Sequence, residues 1–226
     1  MATSGTASFE LDLLELIEEA YERAGSEMRT GYDIKTARRS LNLLFADWAN
    51  RGLNMWTFEE GSIPLIAETA SYALPADTVD LLEHVVRTGS GTDAVDTTLA
   101  RISVSTYANI PIKTLAGPPL NVMVKRGAAQ PSVTVWPVPD TSDLYTLVYW
   151  RMRRIQDAAG GTTTMDVPFR FVPALVAGLA YYLALKIPTA LDRLPILKTQ
   201  YDEAWQLAAD EDREKAAVRF VPRRAF

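Results

Sequence analysis

Apolar positions recur at helical spacing in the first and last parts of the chain, and they alternate in the middle. Before residue 50 the apolar residues lie three to four positions apart, which predicts two amphipathic helices. The first is expected from Ser8, its capping residue, to Ala24, and Gly25 supplies its C-terminal stop. The second is expected over 33–50. The short glycine-containing loop between them predicts an αα-hairpin.

The middle of the chain changes to the shorter period of β-strands. Alternating or β-branched runs predict two short strands around a turn over 63–74, and single strands over 121–126, 132–136 and 145–151. Residues 79–88 fit either a strand or a mixed turn. A short helix is expected over 98–107. Turn-rich loops separate the last three strands, which suits hairpins. We therefore expect a small antiparallel sheet.

Two helices are expected at the end of the chain, over 167–187 and over 190–217, with a kink at Pro195. The most apolar stretch, 171–185, is about one turn shorter than the ~20 residues that span a bilayer, so it predicts a buried core helix and no membrane contact. The expected fold is mainly α, of the α+β class. It is a helical bundle of the N- and C-terminal helices with a small inserted antiparallel β-sheet.

These elements divide the chain into three parts. Residues 1–60 and 166–218 are expected to form the helical core, and 61–165 a β-rich insertion with a short helix. Residues 219–226 form a basic and apolar C-terminal tail, and its residue pattern does not indicate which surface its side chains contact.

Composition removes many kinds of chemistry. The 226 residues include no cysteine and one histidine, which excludes disulfide scaffolds, thiol nucleophiles and multi-histidine metal sites. A serine–histidine triad would depend on His84, which fits a structural or surface histidine better. No phosphate-binding glycine loop is present, and GTDAVD (91–96) lacks the closing glutamate of a calcium loop. We therefore predict no catalytic residue, no metal and no cofactor.

Charge is unevenly distributed along the chain. The net charge of −5 argues against tight binding of nucleic acid, because proteins that neutralise phosphates are usually basic. The first helix carries an acidic face, as expected for a side of a helix that is exposed to solvent. Basic residues cluster elsewhere and would face a polyanion or pair with that helix, within the chain or across a subunit boundary. The candidate interface residues are Glu15, Glu18, Glu19, Glu22, Arg38, Arg39, Arg151, Arg153 and Arg154.

An ordered series of motifs points to a family. The motifs are RRSLNLLFADWANRGLNMWTFEEG (38–61), SYALPADTVDLLE (71–83), PSVTVWPVPD (131–140) followed by LVYWRMRRIQD, and MDVPFRFVPALVAGLAYYLALKIP (165–188). Over about residues 8–219, the chain resembles the head-to-tail adaptor proteins of short-tailed bacteriophages. These are also described as tail accessory factors or packaged-DNA stabilisation proteins.

The resemblance implies a non-enzymatic virion protein, made in the host cytoplasm. Copies would form a ring, expected to be a dodecamer, beneath the portal protein. The ring would extend the DNA channel, retain packaged DNA, contact DNA transiently during ejection, and hold the tail hub or the tail tube or nozzle proteins. The tail of the chain is the candidate portal contact. Its residues in this role are Arg219, Phe220, Val221, Arg223, Arg224 and Phe226.

Two other functions remain open at this stage. Adjacent carboxylates such as Glu59 and Glu60 would serve a virion-associated cell-wall hydrolase if two of them flanked a cleft. A DNA-binding helical protein would use Arg38, Arg39 and the arginines of 151–154.

Overall fold

The fold is taken from a computed structural model, which describes residues 5, 9, 11–29, 31–52, 55–158 and 164–213. The chain divides into two compact units. One combines Met1–Trp56 with Ile155–Phe226, and the other is Thr57–Arg154. In the part of the chain that is described, no helix has the length and hydropathy needed to cross a bilayer.

The first unit is helical. Its helices are α1 (Leu13–Ala24), α2 (Gly31–Asn50), α4 (Val172–Ala184) and α5 (Leu194–Glu211), while α3 (Val104–Ala108) belongs to the other unit. Two 3₁₀ segments, Phe169–Phe171 and Pro188–Arg193, lead into α4 and α5. Helix α1 ends at Gly25, which has φ 79° and donates its N–H to the carbonyl oxygen of Glu22. The predicted glycine stop is therefore confirmed.

The core of this unit lies where α2, α4 and α5 approach one another closely. Gly178 is buried in α4, and a Cβ added there would come within 2.8 Å of the Tyr201 ring and 2.9 Å of a Leu44 methyl group. Glycine allows this spacing, because any larger residue would push the helices apart. Aromatic rings fill the adjacent space: Trp48 lies 4.7 Å from Trp205 between ring centroids.

The second unit contains two four-stranded sheets. Their orders are β1-β8-β3-β4 and β2-β7-β6-β5. The strands are β1 (Phe58–Pro64), β2 (Ser71–Ala73), β3 (Thr78–Thr88), β4 (Val95–Thr98), β5 (Ala100–Arg101), β6 (Asn121–Lys125), β7 (Ser132–Trp136) and β8 (Tyr145–Arg153). Helix α3 (Val104–Ala108) lies between β5 and β6. Both sheets contribute to one apolar cluster that includes Leu81, Val133 and Leu147.

The prediction of a small antiparallel sheet is wrong. The fold is α+β with substantial β content. The pair β5–β6 is parallel, and β7 and β8 lie in different sheets, so the loop between them is no hairpin. The hairpin β6–β7 is confirmed. Of the two strands expected in 63–74, β2 is present, while β1 begins earlier, at Phe58, and ends at Pro64. They lie in different sheets, because each pairs with a strand distant in sequence.

Several helices differ from the predictions, including the short helix expected over 98–107, which is confined to Val104–Ala108 because Ala100–Arg101 forms β5. Helix α1 begins at Leu13 with Asp12 as its N-cap, and Ser8 lies outside the described residues. Helix α4 is shorter than 167–187, because a 3₁₀ segment occupies its expected first turn. Pro195 lies in the first turn of α5 and produces no kink, since proline lacks only an N–H that has no partner there. Residues 214–217 of the expected last helix lie outside the described part.

Candidate functional site

The acidic face of α1 is built by helical spacing. Glu15, Glu18, Glu19 and Glu22 follow one another at intervals of three, one and three residues, so they share one side of the helix. The N-terminal end is fixed by a capping box, in which the Glu15 N–H donates to Asp12 Oδ1 over 2.9 Å. Arg23 donates to Glu19 over 2.7 Å. Glu18 and Glu22 are exposed and have no ion pair among the described residues.

The two arginines of α2 differ in their surroundings. Arg38 is half-buried, and its Nη2 donates to the carbonyl oxygen of Ala158 over 3.1 Å. It therefore ties the segment after β8 to α2. Arg39 is exposed. The pKa of the nearby Lys186 ammonium is lowered by burial and, to a smaller extent, by the positive charge of Arg39. Of the two, Arg39 has the charge that is available to another molecule.

Arg151 is buried inside an ion-pair network of the second unit. Its Nη1 donates to Asp77 Oδ1 over 2.6 Å, and its Nη2 donates to Glu59 Oε2 over 2.8 Å. Arg153 donates to the other oxygen of Glu59 over 2.6 Å. The hydrogen bond from Arg151 holds the pKa of the Asp77 carboxyl below its usual value. The network connects β8 to β1 and to the residue that precedes β3.

This network changes the interpretation of the basic cluster. The partners of Arg151 within the chain are Glu59 and Asp77, and the carboxylates of α1 are not among them. Arg154 is exposed at the end of β8. The assignment of all three arginines to a subunit interface stays a prediction, and the exposed Arg154 is the one best placed for it.

The carboxylates considered for hydrolase chemistry are not arranged as a catalytic pair. Glu59 and Glu60 are neighbours on β1, so their side chains point to opposite faces of the sheet. Glu59 is also occupied by two arginines. Among the described residues, no group of three or more His, Asp or Glu side chains could hold a metal ion.

His84 lies in β3 opposite Tyr149 and is buried. Its Nδ1 has no hydrogen-bond partner in the described part of the chain. Burial lowers its pKa, and the positive charge of Arg101 lowers it further. A neutral ring enclosed in this way is a structural histidine, one of the two roles expected from the sequence.

Two features were missed by sequence reasoning. Asp80 accepts from both Arg101 and Arg126 and so connects β3 to residues of the second sheet. No spacing rule could find this pairing, since the partners are 21 and 46 positions away. The second feature is a group of exposed apolar side chains, and the loop signals around Gly117 and Pro118 could have indicated it. The group consists of Val104, Ile112, Leu115 and Leu120.

The predicted portal contact cannot be placed. Arg219, Phe220, Val221, Arg223, Arg224 and Phe226 all lie outside the described residues.

The end of α5 is held by contacts of a buried aspartate. Asp212 is buried there, accepts the Met55 N–H over 2.9 Å and pairs with Arg170.

Comparisons with known proteins identify the family. A search of curated proteins finds no match. Among solved structures, the chain is similar to a chain in the "Neck of empty GTA particle computed with C6 symmetry". The sequence identity is 9%, the TM-score is 0.30, and the alignment covers 87% of this chain and 93% of that one. The family model described as "SU10 adaptor protein" matches residues 11–223. Because this match covers both units, the chain belongs to the SU10 adaptor protein family.

Proposed function

We propose that the chain is a structural subunit of a ring between the portal and the tail of a phage virion. In this position the ring extends the DNA channel, helps to retain packaged DNA and provides a platform for tail hub, tube or nozzle proteins. One observation carries the proposal: the adaptor family model matches residues 11–223, which include the helical unit and the β-rich unit. The dodecameric copy number, the portal as partner and the location in the virion neck are parts of this proposal.

Exposed charges support a ring of identical subunits. A ring closes through a head-to-tail contact, which needs two different and complementary surfaces on each copy. The exposed carboxylates Glu18 and Glu22 offer one sign of charge, and the exposed arginines Arg39 and Arg154 offer the other. These residues are the core of the proposed subunit interface, together with the remaining members of the predicted set.

Exposed apolar residues support contact with a further protein. Val104 and Ile112 are about three-fifths exposed, at 61% and 60%, and Leu115 and Leu120 lie in the same segment. Where such exposed apolar side chains form a contiguous patch, they are typical of a surface that a partner covers. We assign this segment to contact with a neighbouring subunit or with a tail protein.

The alternative functions have less support. A hydrolase needs two carboxylates around a cleft, and Glu59 is instead held by Arg151 and Arg153. A DNA-binding surface needs several free cations. Of the candidate arginines, Arg38, Arg151 and Arg153 donate to groups of the chain itself, which leaves Arg39 and Arg154 exposed. A channel lining also benefits from weak DNA binding, because tight phosphate contacts would slow the passage of DNA.

The proposal is tested by mixing the purified chain with its cognate portal protein. We expect rings on the portal in electron micrographs and a faster-sedimenting complex, also when the chain alone is monomeric. Arg39→Glu should reduce ring completion, and Arg29→Glu, an exposed charge on the loop before α2, is the matched control. If the wild-type chain gives no ring and no change in sedimentation, the proposal is wrong.

A further inference from the structure

The acidic face of α1 borders a groove with an apolar floor. The groove has a volume of about 530 Å³ and lies between α1 and the start of α4. Its apolar lining, called its floor below, includes Leu11, Val172 and Val176, and its polar lining comes from α1: four carboxylates and one cation, Glu15, Glu18, Glu19, Glu22 and Arg23. Arg23 pairs with Glu19, so the polar side is acidic overall. Phe9, at its end, is 65% exposed. An apolar channel with one acidic wall fits an occupant that is both apolar and basic.

The chain itself contains a segment with this chemistry. Residues 219–226 read RFVPRRAF, with three arginines, two phenylalanines, a valine and no acidic residue. Arginine is suited to carboxylates because its planar fork of N–H donors binds them in pairs. The phenylalanine and valine side chains would gain by covering the exposed Phe9 and the partly exposed Leu11 and Val172. Charge and hydrophobicity of the segment therefore complement those of the groove.

A series of contacts links the last described residues to the groove. Asp212, next to the final described residue Arg213, pairs with Arg170. The neighbour of Arg170, Phe169, lines a cavity of about 160 Å³ together with Phe9, Leu11 and Val172. Phe9, Leu11 and Val172 also line the groove. Residues 214–218 can span up to about 18 Å when extended, at ~3.3–3.6 Å per residue. A linker of this length gives the segment its reach toward the groove of its own chain.

We propose that residues 219–226 bind in the α1 groove of the same chain while the protein is free of its partners. The arginines pair with Glu18 and Glu22, and Phe220 and Val221 cover the floor beside Phe9 and Val172. This binding does not depend on the proposed ring. Its consequence for assembly does rest on the proposed function: when the tail moves to the portal, the acidic face becomes available to a neighbouring subunit.

The absence of cysteine allows a direct test in the full-length chain. Glu18→Cys is combined with Val221→Cys, and a short bismaleimide cross-linker is added to the free protein at low concentration. The matched control combines Ala46→Cys, an exposed position on α2 outside the groove, with Val221→Cys. A tail held in the groove raises the local thiol concentration. We therefore expect cross-linking within one chain at least about tenfold faster than in the control.

A charge variant adds a second measurement. Glu22→Lys in the cross-linking background should slow the reaction several-fold, and Glu27→Lys, an exposed glutamate after α1, should leave it nearly unchanged. Equal rates in the two cysteine pairs, an unaffected rate in Glu22→Lys, or cross-links only between two chains would overturn the proposal. Because no portal is present, a failure here is distinct from a failure to form rings.

Discussion

Trp48 donates its indole N–H to the hydroxyl oxygen of Tyr201 over 2.9 Å, and this buried bond joins α2 to α5. Tyr201→Phe removes the acceptor and leaves the Trp48 N–H without its partner in the core. A buried donor without an acceptor costs about 1–3 kcal/mol, so we expect the free energy of unfolding to fall by that amount. Urea unfolding followed by circular dichroism measures it. Tyr32→Phe, at a tyrosine that is 73% exposed, is the control and should change little.

The lowered pKa of His84 leads us to expect a loss of stability in weak acid. Its pKa in the folded chain is lowered from 6.5, mainly by burial, while the unfolded chain keeps the ordinary value. Between these two pKa values the unfolded state binds more protons, so the free energy of unfolding falls as the pH decreases below about 6.5. NMR titration of the single histidine ring measures the folded pKa directly. His84→Gln should remove this part of the pH dependence, and a folded pKa at or above 6.5 would contradict the prediction.

The lowered pKa of Asp77 leads us to expect a second loss of stability at lower pH. The hydrogen bond from Arg151 lowers its pKa from 3.8 in the folded chain. Its contribution is therefore present above the unfolded pKa and is lost as the pH falls through the folded pKa. Asp77→Asn should flatten the dependence of the urea midpoint on pH below about 4, and should lower stability at neutral pH. Asp93→Asn, at an exposed loop residue, is the control and should leave the slope as in the wild type.

Whether the sequence predicts an element depends on how far apart in sequence the residues lie that stabilise it. The strands β3 and β7 and the helix α2 follow from local periodicity, because the spacing of apolar residues within each element marks the face that it buries. The pairing of β1 with β8 joins Phe58 to Met152, and no local pattern encodes so distant a partner. β4 was missed for another reason, since all its residues are exposed and none shows a buried face.

The candidate site divides in the same way. The acidic row on α1 is a local property of helical spacing, and the sequence predicts it correctly as a helix face. The partners of Arg151 lie 74 and 92 positions away in sequence, and that of Arg153 lies 94 positions away. A cluster of arginines at the end of a strand could therefore not reveal that two of them were already paired within the chain. Burial of a charge depends on the whole fold, and for this reason sequence reasoning gave equal weight to Arg151 and the exposed Arg154.

Replacing these two arginines separates a structural role from an assembly role. Arg151→Met leaves Asp77 without its cation and Glu59 with Arg153 alone. Because water screens these half-exposed carboxylates, we expect a loss of only about 1–3 kcal/mol in the free energy of unfolding. Arg154→Met should change the stability of the free chain by less than ~0.5 kcal/mol, since it alters only an exposed side chain.

In portal-mixing experiments we expect the opposite ranking, with the larger effect on ring formation at Arg154. Arg154→Met should weaken ring formation, while Arg151→Lys, which keeps the charge, should still form rings. If Arg151→Met unfolds like the wild type but forms no rings, then Arg151 acts at the subunit boundary and its contacts with Glu59 and Asp77 contribute little to folding.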